Sequence, residues 1–487
     1  MARHDYDLGV IGGGAAGLSV AAGAARLGAK VLLVDRSPLL GGDCLHHGCV
    51  PSKTLIRVAE IRHLQSRAAE FGLPPVNPGP VDFAQVAGRI REVIAAIQPH
   101  DSAERFQRLG VDLRVGTPEF TDEHTVSLEG KRLSARFWTI ATGSSPALPP
   151  FPGLDTVDRL TNRELFSLER LPRSMIVLGG GAMAVEMAQA FCRLGCAVSV
   201  IQRSPQILSR EDPDLAAIVR QALEREGVAF HLGATVRQIS KTDAGTSVRF
   251  VQGNGPERTV TAEALLVATG RVANTAGLGL ASIGVVHDEK GIRVDGRMRT
   301  SQPHIFAPGD VNGAHQFTHA AGYEAGIVVS NAVFRLPRRA DYTLMPRCVY
   351  SQPELACVGL SETEARKAGI EHSVWTETFA DNDRARAEGE TDGCVKVLLD
   401  RRGRPIGVQI VGPRAGDLVC EWVAAMGGKV SLATLAGAVH PYPTLAEINK
   451  RVAGSYLASK IFSGPVRRVL KFLFTLRGGP PSDPRAR

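Results

Sequence analysis

Two stretches of this chain are close copies of each other, and that repeat restricts the fold more than any other feature of the sequence. "DLGVIGGGAAGLSVAAGAARLGAKVLLVDRS" (Asp7 to Ser37) aligns without gaps on "SMIVLGGGAMAVEMAQAFCRLGCAVSVIQRS" (Ser174 to Ser204). Each copy reads as a short β-rich strand, a glycine turn, a helix ending at a glycine (Gly28, Gly195) and a second strand. This is the βαβ dinucleotide fingerprint. Its small residues permit a tight turn and bring the backbone close to a pyrophosphate at the helix N-terminus.

The copies differ where a ribose would be read. In the first, Gly12, Gly14 and Gly17 are followed by Asp35 at the end of the second strand, where a carboxylate accepts hydrogen bonds from ribose hydroxyls. In the second, the small residues are Gly179, Gly181 and Ala184, and the place of Asp35 is taken by Gln202, followed by Arg203. Losing the acid and gaining a cation suits a 2′-phosphate, which favours NADPH and leaves NADH open. Arg210 is a second candidate cation. The aligned Arg36 of the first copy leaves open that Arg203 is a solvated strand-end residue.

At 487 residues the chain is too long for one ordinary core, and 44% hydrophobic with 22% charged residues is the composition of a soluble globular protein. The net charge of +8 is modest and spread along the chain, and aromatics are only 5%, so neither a basic nucleic-acid face nor a base-stacking surface is indicated. No nucleic-acid partner is expected. The chain starts without an apolar signal region and holds no run of 18 apolar residues, so a cytoplasmic, non-spanning protein is expected. In that compartment the eight cysteines would be mostly reduced, and any disulfide is more apt to be working than structural.

One cysteine pair is set apart by its surroundings, "GGDCLHHGCVPSK" (Gly41 to Lys53). A disulfide, a metal clasp and a redox couple are the three options. Tetrahedral coordination by Cys44, Cys49 and the adjacent His46 and His47 would strain so short a loop, so no metal site is assigned. Cys192 and Cys196 are one helical turn apart and are expected on one helix face. They are read as structural cysteines, as are Cys348, Cys357, Cys394 and Cys420.

With these residues in place the chain resembles the FAD-dependent pyridine nucleotide–disulfide oxidoreductases, the group of dihydrolipoamide dehydrogenase, glutathione reductase and mercuric reductase. The resemblance runs from about residue 5 to about 460 and includes "IATGSSP" (Ile140 to Pro146), "VATGRVANT" (Val267 to Thr275) and "IFAPGDV" (Ile305 to Val311). It implies an α/β fold with two Rossmann-like dinucleotide-binding domains and a C-terminal α+β dimerisation domain. The FAD domain would be discontinuous, 1–150 and 271–342, with the NAD(P) domain at 151–270 and the interface domain at 343–465. It further implies that Asp310 binds the flavin's ribityl chain, with Gly143 and Gly270 also at the cofactors. Cys44 would be the interchange thiol and Cys49 the flavin-proximal thiol. Lys53 would lie near the flavin and pair with Glu186. A helix N-terminus and a nearby lysine both stabilise a thiolate, which agrees with a redox couple. A homodimer is implied, each active site being completed by the partner's interface domain.

The interface domain departs from the family pattern. Disulfide reductases carry a histidine, then Pro-Thr, with a glutamate five residues after the histidine. In "VHPYPTLAE" (Val439 to Glu447) that position holds Tyr442, with Glu447 five residues on, and His440 is two residues early. A tyrosine of ordinary pKa is a poor base at neutral pH. Tyrosine here is similar to mercuric reductase, whose substrate is a thiophilic metal ion. The vicinal C-terminal cysteines typical of that enzyme are missing. Electrons are therefore expected to pass from NADPH through FAD to Cys44–Cys49 and on to Hg(II), a disulfide or another soft electrophile. Dihydrolipoamide dehydrogenase is the first alternative, and a flavin-bound redox sensor without useful turnover is the second.

The tail, 466–487, begins as a basic amphipathic segment, "VRRVLKFLFTLR", with Val466, Val469, Leu470, Leu473 and Phe474 at helical spacing among Arg467, Arg468, Lys471 and Arg477. Packing against the body or a dimer partner is the preferred reading, and peripheral membrane contact the other. "GGPPSDPRAR" reads as a flexible end.

Overall fold

The computed structural model describes residues 4–476 and separates into two compact units, Met1–Tyr342 and Thr343–Arg487. In the first unit the two repeats do what their patterning dictates. Tyr6–Ile11, the helix Ala15–Arg26 and Val31–Asp35 form one βαβ turn, and Ser174–Leu178, Ala182–Leu194 and Ala197–Gln202 form the other. Strands Val111–Val115, Val31–Asp35, Tyr6–Ile11 and Lys131–Ile140 lie side by side and parallel, with Ile305–Phe306 parallel to the last. The strands of the second repeat join Ala229–Leu232 and Ala264–Val267 in a separate four-stranded parallel sheet. Near-continuous runs of Val, Leu and Ile suit strands covered on both faces.

Both turns depend on close backbone approach. Gly12 and Gly179 have φ of +110° and +114°, and a Cβ on either would come 2.3 Å from the carbonyl oxygen of Ala141 or Ala268. A Cβ on Gly17 would sit 1.8 Å from the Gly12 carbonyl oxygen, so the helix seats directly under its own turn. At the equivalent place in the second copy Ala184 is fully buried, so that turn is wide enough for a methyl group.

A three-stranded antiparallel sheet (Ala234–Thr242, Gly245–Gln252, Glu257–Ala262) precedes Ala264–Val267 in the chain, and a short ribbon pairs Ser144–Pro146 with Arg271–Ala273. The second unit is built on a five-stranded antiparallel sheet ordered Arg347–Val349, Glu354–Gly359, Pro405–Gly412, Cys394–Leu399, Ser373–Thr378. Its core gathers Trp422 from the helix Ala415–Gly427 and Ile448 and Val452 from Glu447–Ile461. The buried Asn449 satisfies the Trp422 indole by accepting from Nε1 at 2.8 Å.

Three expectations are corrected. The helix of the second repeat ends at Leu194 with Gly195 in the left-handed region, so buried Cys196 lies beyond it and does not share a helix face with Cys192. His46 is not in a loop but closes a short helix, Gly42–His46. Cys420 is exposed, not packed in the core. The tail does form a helix, Gly464–Leu476, while Arg477 and the segment 478–487 lie outside the described residues.

The turn geometry has a testable consequence. Gly17→Ala is expected to cost about 1–3 kcal/mol through overpacking and to weaken binding of the FAD that the resemblance implies, whereas Ala184→Gly should cost only about 0.5–1 kcal/mol. Thermal melting with flavin content read in parallel tests this, and an unchanged Gly17→Ala protein would refute the close-approach account.

Candidate functional site

The cysteine segment folds as two successive helices. Cys44 lies in Gly42–His46, and Cys49 is the first residue of Cys49–Ser66, with Gly48 between them. A Cβ at Gly48 would come 2.9 Å from the Asp43 carbonyl oxygen, so glycine lets the two turns close on each other. The helix Cys49–Ser66 has neither a side-chain cap nor an acid in its first turn. Its positive end therefore faces Cys49 without competition.

The two sulfurs are electrostatically unequal. Cys49 is pulled down to about 6, first by the hydrogen bond from Cys44, against its own burial, and then by Thr318 and Lys53. The Thr318 hydroxyl is 3.3 Å from Cys49 Sγ, at the first position of the helix Thr318–Ala332. Cys44 is pushed well above an ordinary thiol, first by the same hydrogen bond and then by burial. The hydrogen bond and the surroundings therefore favour the proton on Cys44 and negative charge on Cys49. Lys53 Nζ meets Glu186 Oε2 at 2.9 Å; that carboxylate is buried on the helix of the second repeat and ties the two helices together. His46 Nε2 is 2.9 Å from the Leu40 carbonyl, and its ring and that of His47 lie 6.3 Å apart at 56°. Among the described residues no set of three or more His, Cys, Asp or Glu side chains is placed to hold a metal ion.

Around the first turn, the residues fit a bound dinucleotide. Asp35 Oδ2 accepts from Gly13 N at 2.5 Å and Oδ1 from Ser37 N at 2.7 Å, which locks the carboxylate at the strand end. The helix Ala15–Arg26 starts at Gly14 with no side-chain cap and no first-turn acid, leaving its amides for an anion. Asp310 is held by the Ser144 hydroxyl at 2.6 Å, and burial raises its pKa. Gly143 and Gly270 stand at the heads of the two strands of the short ribbon, with φ of +68° and +137°. The helix of the second repeat likewise starts uncapped at Gly181 without a first-turn acid. Arg203 and Arg210 are both exposed, and Gln202 Oε1 accepts from Arg203 N at 3.1 Å.

Sequence reasoning missed a polar bridge beside the cysteines. Asp43 Oδ2 pairs with Arg271 Nη2 at 2.7 Å, and Arg271 donates to Ser144 Oγ at 2.7 Å. Asn162 Nδ2 donates to Asp43 Oδ2 at 3.1 Å and to the His47 carbonyl at 3.0 Å. The available signal was an acid directly before Cys44 and an arginine directly after Gly270. Nothing in sequence spacing places them together.

In the second unit Tyr442 is 72% exposed, with its hydroxyl donating to Asp383 Oδ2 at 3.1 Å. Asp383 raises the Tyr442 pKa, moving it further from a base. Glu447 accepts from Thr444 N at 3.3 Å. His440, with only 9% of its side chain exposed, lies 3.0 Å through Nε2 from Glu421 Oε1, a contact unforeseen in the sequence.

Comparison with known proteins agrees with this architecture. The pyridine nucleotide-disulphide oxidoreductase family model matches residues 6–325, and the dimerisation-domain model of the same family matches 345–453. The chain is 34% identical to a mercuric reductase of Staphylococcus aureus, over 91% of this chain and 81% of that protein. It is 35% identical to a dihydrolipoyl dehydrogenase of Chlorobaculum tepidum, over 93% of this chain and 97% of that protein. Among solved structures, a Cu(II) complex of the HOCl-induced flavoprotein disulfide reductase RclA from Escherichia coli matches at 27% identity with a TM-score of 0.82, covering 93% of this chain and all of that one.

The unequal sulfurs predict a pH profile. In the reduced protein, Cys49 should alkylate with iodoacetamide along a titration centred near 6. Cys44→Ala should raise that midpoint most, and Thr318→Val should raise it as well. Because the folded pKa is depressed below that of an ordinary thiol, the associated stability is complete above about pH 9 and is lost as pH falls through about 6. Cys49 alkylation appearing only above pH 8 would refute the assignment.

Proposed function

The chain belongs to the pyridine nucleotide–disulfide oxidoreductases, and from that membership we propose that it passes electrons from NADPH through FAD to a Cys44–Cys49 couple and on to a thiophilic acceptor, Hg(II) or a similar soft electrophile. Members of this family bind FAD and use NAD(P)H. When bound, the two cofactors supply the hydride and the electron pair that open the disulfide. In this reading residues 1–150 and 271–342 hold FAD, and 151–270 hold NADPH.

The chain's own residues then act in sequence. The positive end of the helix Cys49–Ser66, with Thr318 and Lys53, keeps Cys49 as a thiolate, and Glu186 fixes where Lys53 sits. Cys44 retains the proton and meets the acceptor. The Cys44 proton passes to solvent as the cation binds, so that both sulfurs ligate it and no protein base is needed. One NADPH gives two electrons, which is the count needed to take Hg(II) to Hg(0). Arg203, with no acid at Gln202, supports a 2′-phosphate.

The observation that carries the choice of acceptor is Tyr442. It stands where a disulfide reductase needs an imidazole, and Asp383 pushes its pKa up. A base of that kind does not relay protons at pH 7, and ligation of a metal ion needs no such relay. One contact favours a second reading. The His440–Glu421 pair is an acid–base dyad of its own, and would serve thiol–disulfide exchange as in a dihydrolipoyl dehydrogenase if the imidazole reaches substrate. Its burial weighs against that.

The discriminating assay is anaerobic NADPH oxidation with Hg(II) in excess thiol, run beside lipoamide. Turnover with Hg(II) is expected, abolished by Cys49→Ala and insensitive to His440→Gln. Arg203→Glu should raise KM for NADPH about 10- to 100-fold while leaving NADH unaffected. Lipoamide turnover that His440→Gln removes would replace the metal reading with the second one.

A further inference from the structure

The helix Gly464–Leu476 sorts its side chains into two faces. At 3.6 residues per turn, Phe472, Val469, Leu473, Val466, Leu470 and Phe474 span an arc of about 200°, and Arg467, Lys471, Thr475 and Arg468 fill the remainder. No apolar residue falls on the polar side. The preferred sequence reading is a helix packed against the body or a dimer partner; within the chain the body does not cover it, since every described side chain from Pro465 to Thr475 is exposed, with Phe472 and Phe474 each at 64%. The apolar surface extends backwards through Phe462 and Ile461, which are also exposed at the end of the preceding helix, Glu447–Ile461.

Charge selects the occupant. Between Glu447 and Asp483 there is no acidic residue, while Lys450, Arg451, Lys460, Arg467, Arg468 and Lys471 precede or lie within the helix. An apolar arc bordered only by cations matches an interface of acyl chains below anionic headgroups. With 13 residues the helix is too short to span, and among the described residues no helix is long and apolar enough to cross a membrane. We propose that Gly464–Leu476 lies in the plane of an anionic phospholipid bilayer and attaches the enzyme peripherally to its surface. Phe472, Leu473 and Phe474 enter the acyl boundary, and Arg467, Arg468 and Lys471 pair with lipid phosphates.

Co-sedimentation of the full-length holoenzyme with vesicles tests this. Binding is expected to equimolar phosphatidylglycerol–phosphatidylcholine and to weaken steeply with salt and with pure phosphatidylcholine. Replacing Arg467, Arg468 and Lys471 by Gln should reduce binding roughly 100-fold. Leu470→Glu with Leu473→Glu should abolish it. Flavin content and NADPH oxidation in solution should be unchanged in both variants, which shows that they are folded. No binding to anionic vesicles, or binding that survives the double Glu substitution, would overturn the proposal. So would a wild-type protein that ignores vesicles while the Glu variant shifts to a smaller species in sedimentation velocity, because the face would then be covered by a second copy.

Discussion

Everything in the first unit depends on one steric constraint: the backbone of the turn Gly12–Gly14 has to run against the strand end at Ala141 while the helix Ala15–Arg26 packs directly beneath it. Only the lack of side chains at Gly12 and Gly17 permits this. The arrangement aims uncapped amides at one spot and leaves room there for a charged ligand. Around that spot the chain brings Asp35, Asp310 and the cysteine helix from segments nearly 300 residues apart. Gly41 N donates to the Gly13 carbonyl at 2.8 Å, and that bond attaches the cysteine segment to the turn itself.

The cysteine pair uses the same device a second time. A helix start without cap or acid stabilises a thiolate, as the first helix start would favour a phosphate. Sharing one proton between two sulfurs then separates their chemistry. One thiol is pulled towards the thiolate and the other is held protonated. The Lys53–Glu186 pair links this helix to the helix of the second repeat through a buried carboxylate.

The second unit carries the residues on which the proposed acceptor turns. A mercuric reductase and a dihydrolipoyl dehydrogenase match this chain at 34% and 35% identity over 91% and 93% of its length, so overall identity does not separate the two acceptors. The proposed choice between acceptors rests on a handful of side chains: Tyr442 on Asp383 and His440 on Glu421. Tyr442 was legible from its spacing to Thr444 and Glu447. Its partner Asp383 was not, because the two are 59 residues apart and meet only through tertiary packing.

Local chemistry determined the repeats, the glycine turns, the order of cysteine and lysine, and the amphipathic tail, since each depends on spacing within one helix or turn. The length of the second repeat's helix also follows from Gly195, although its consequence for Cys196 emerged only once the chain had turned away. Tertiary structure alone decided the Asp43–Arg271–Ser144 bridge, the Thr318 contact to Cys49, the engagement of His440 and the exposure of the last helix. The physical reason is range. Periodicity, capping and φ preferences act over a few residues and are written in the sequence, whereas pKa values and ion pairs depend on which distant groups the fold delivers within a few ångströms.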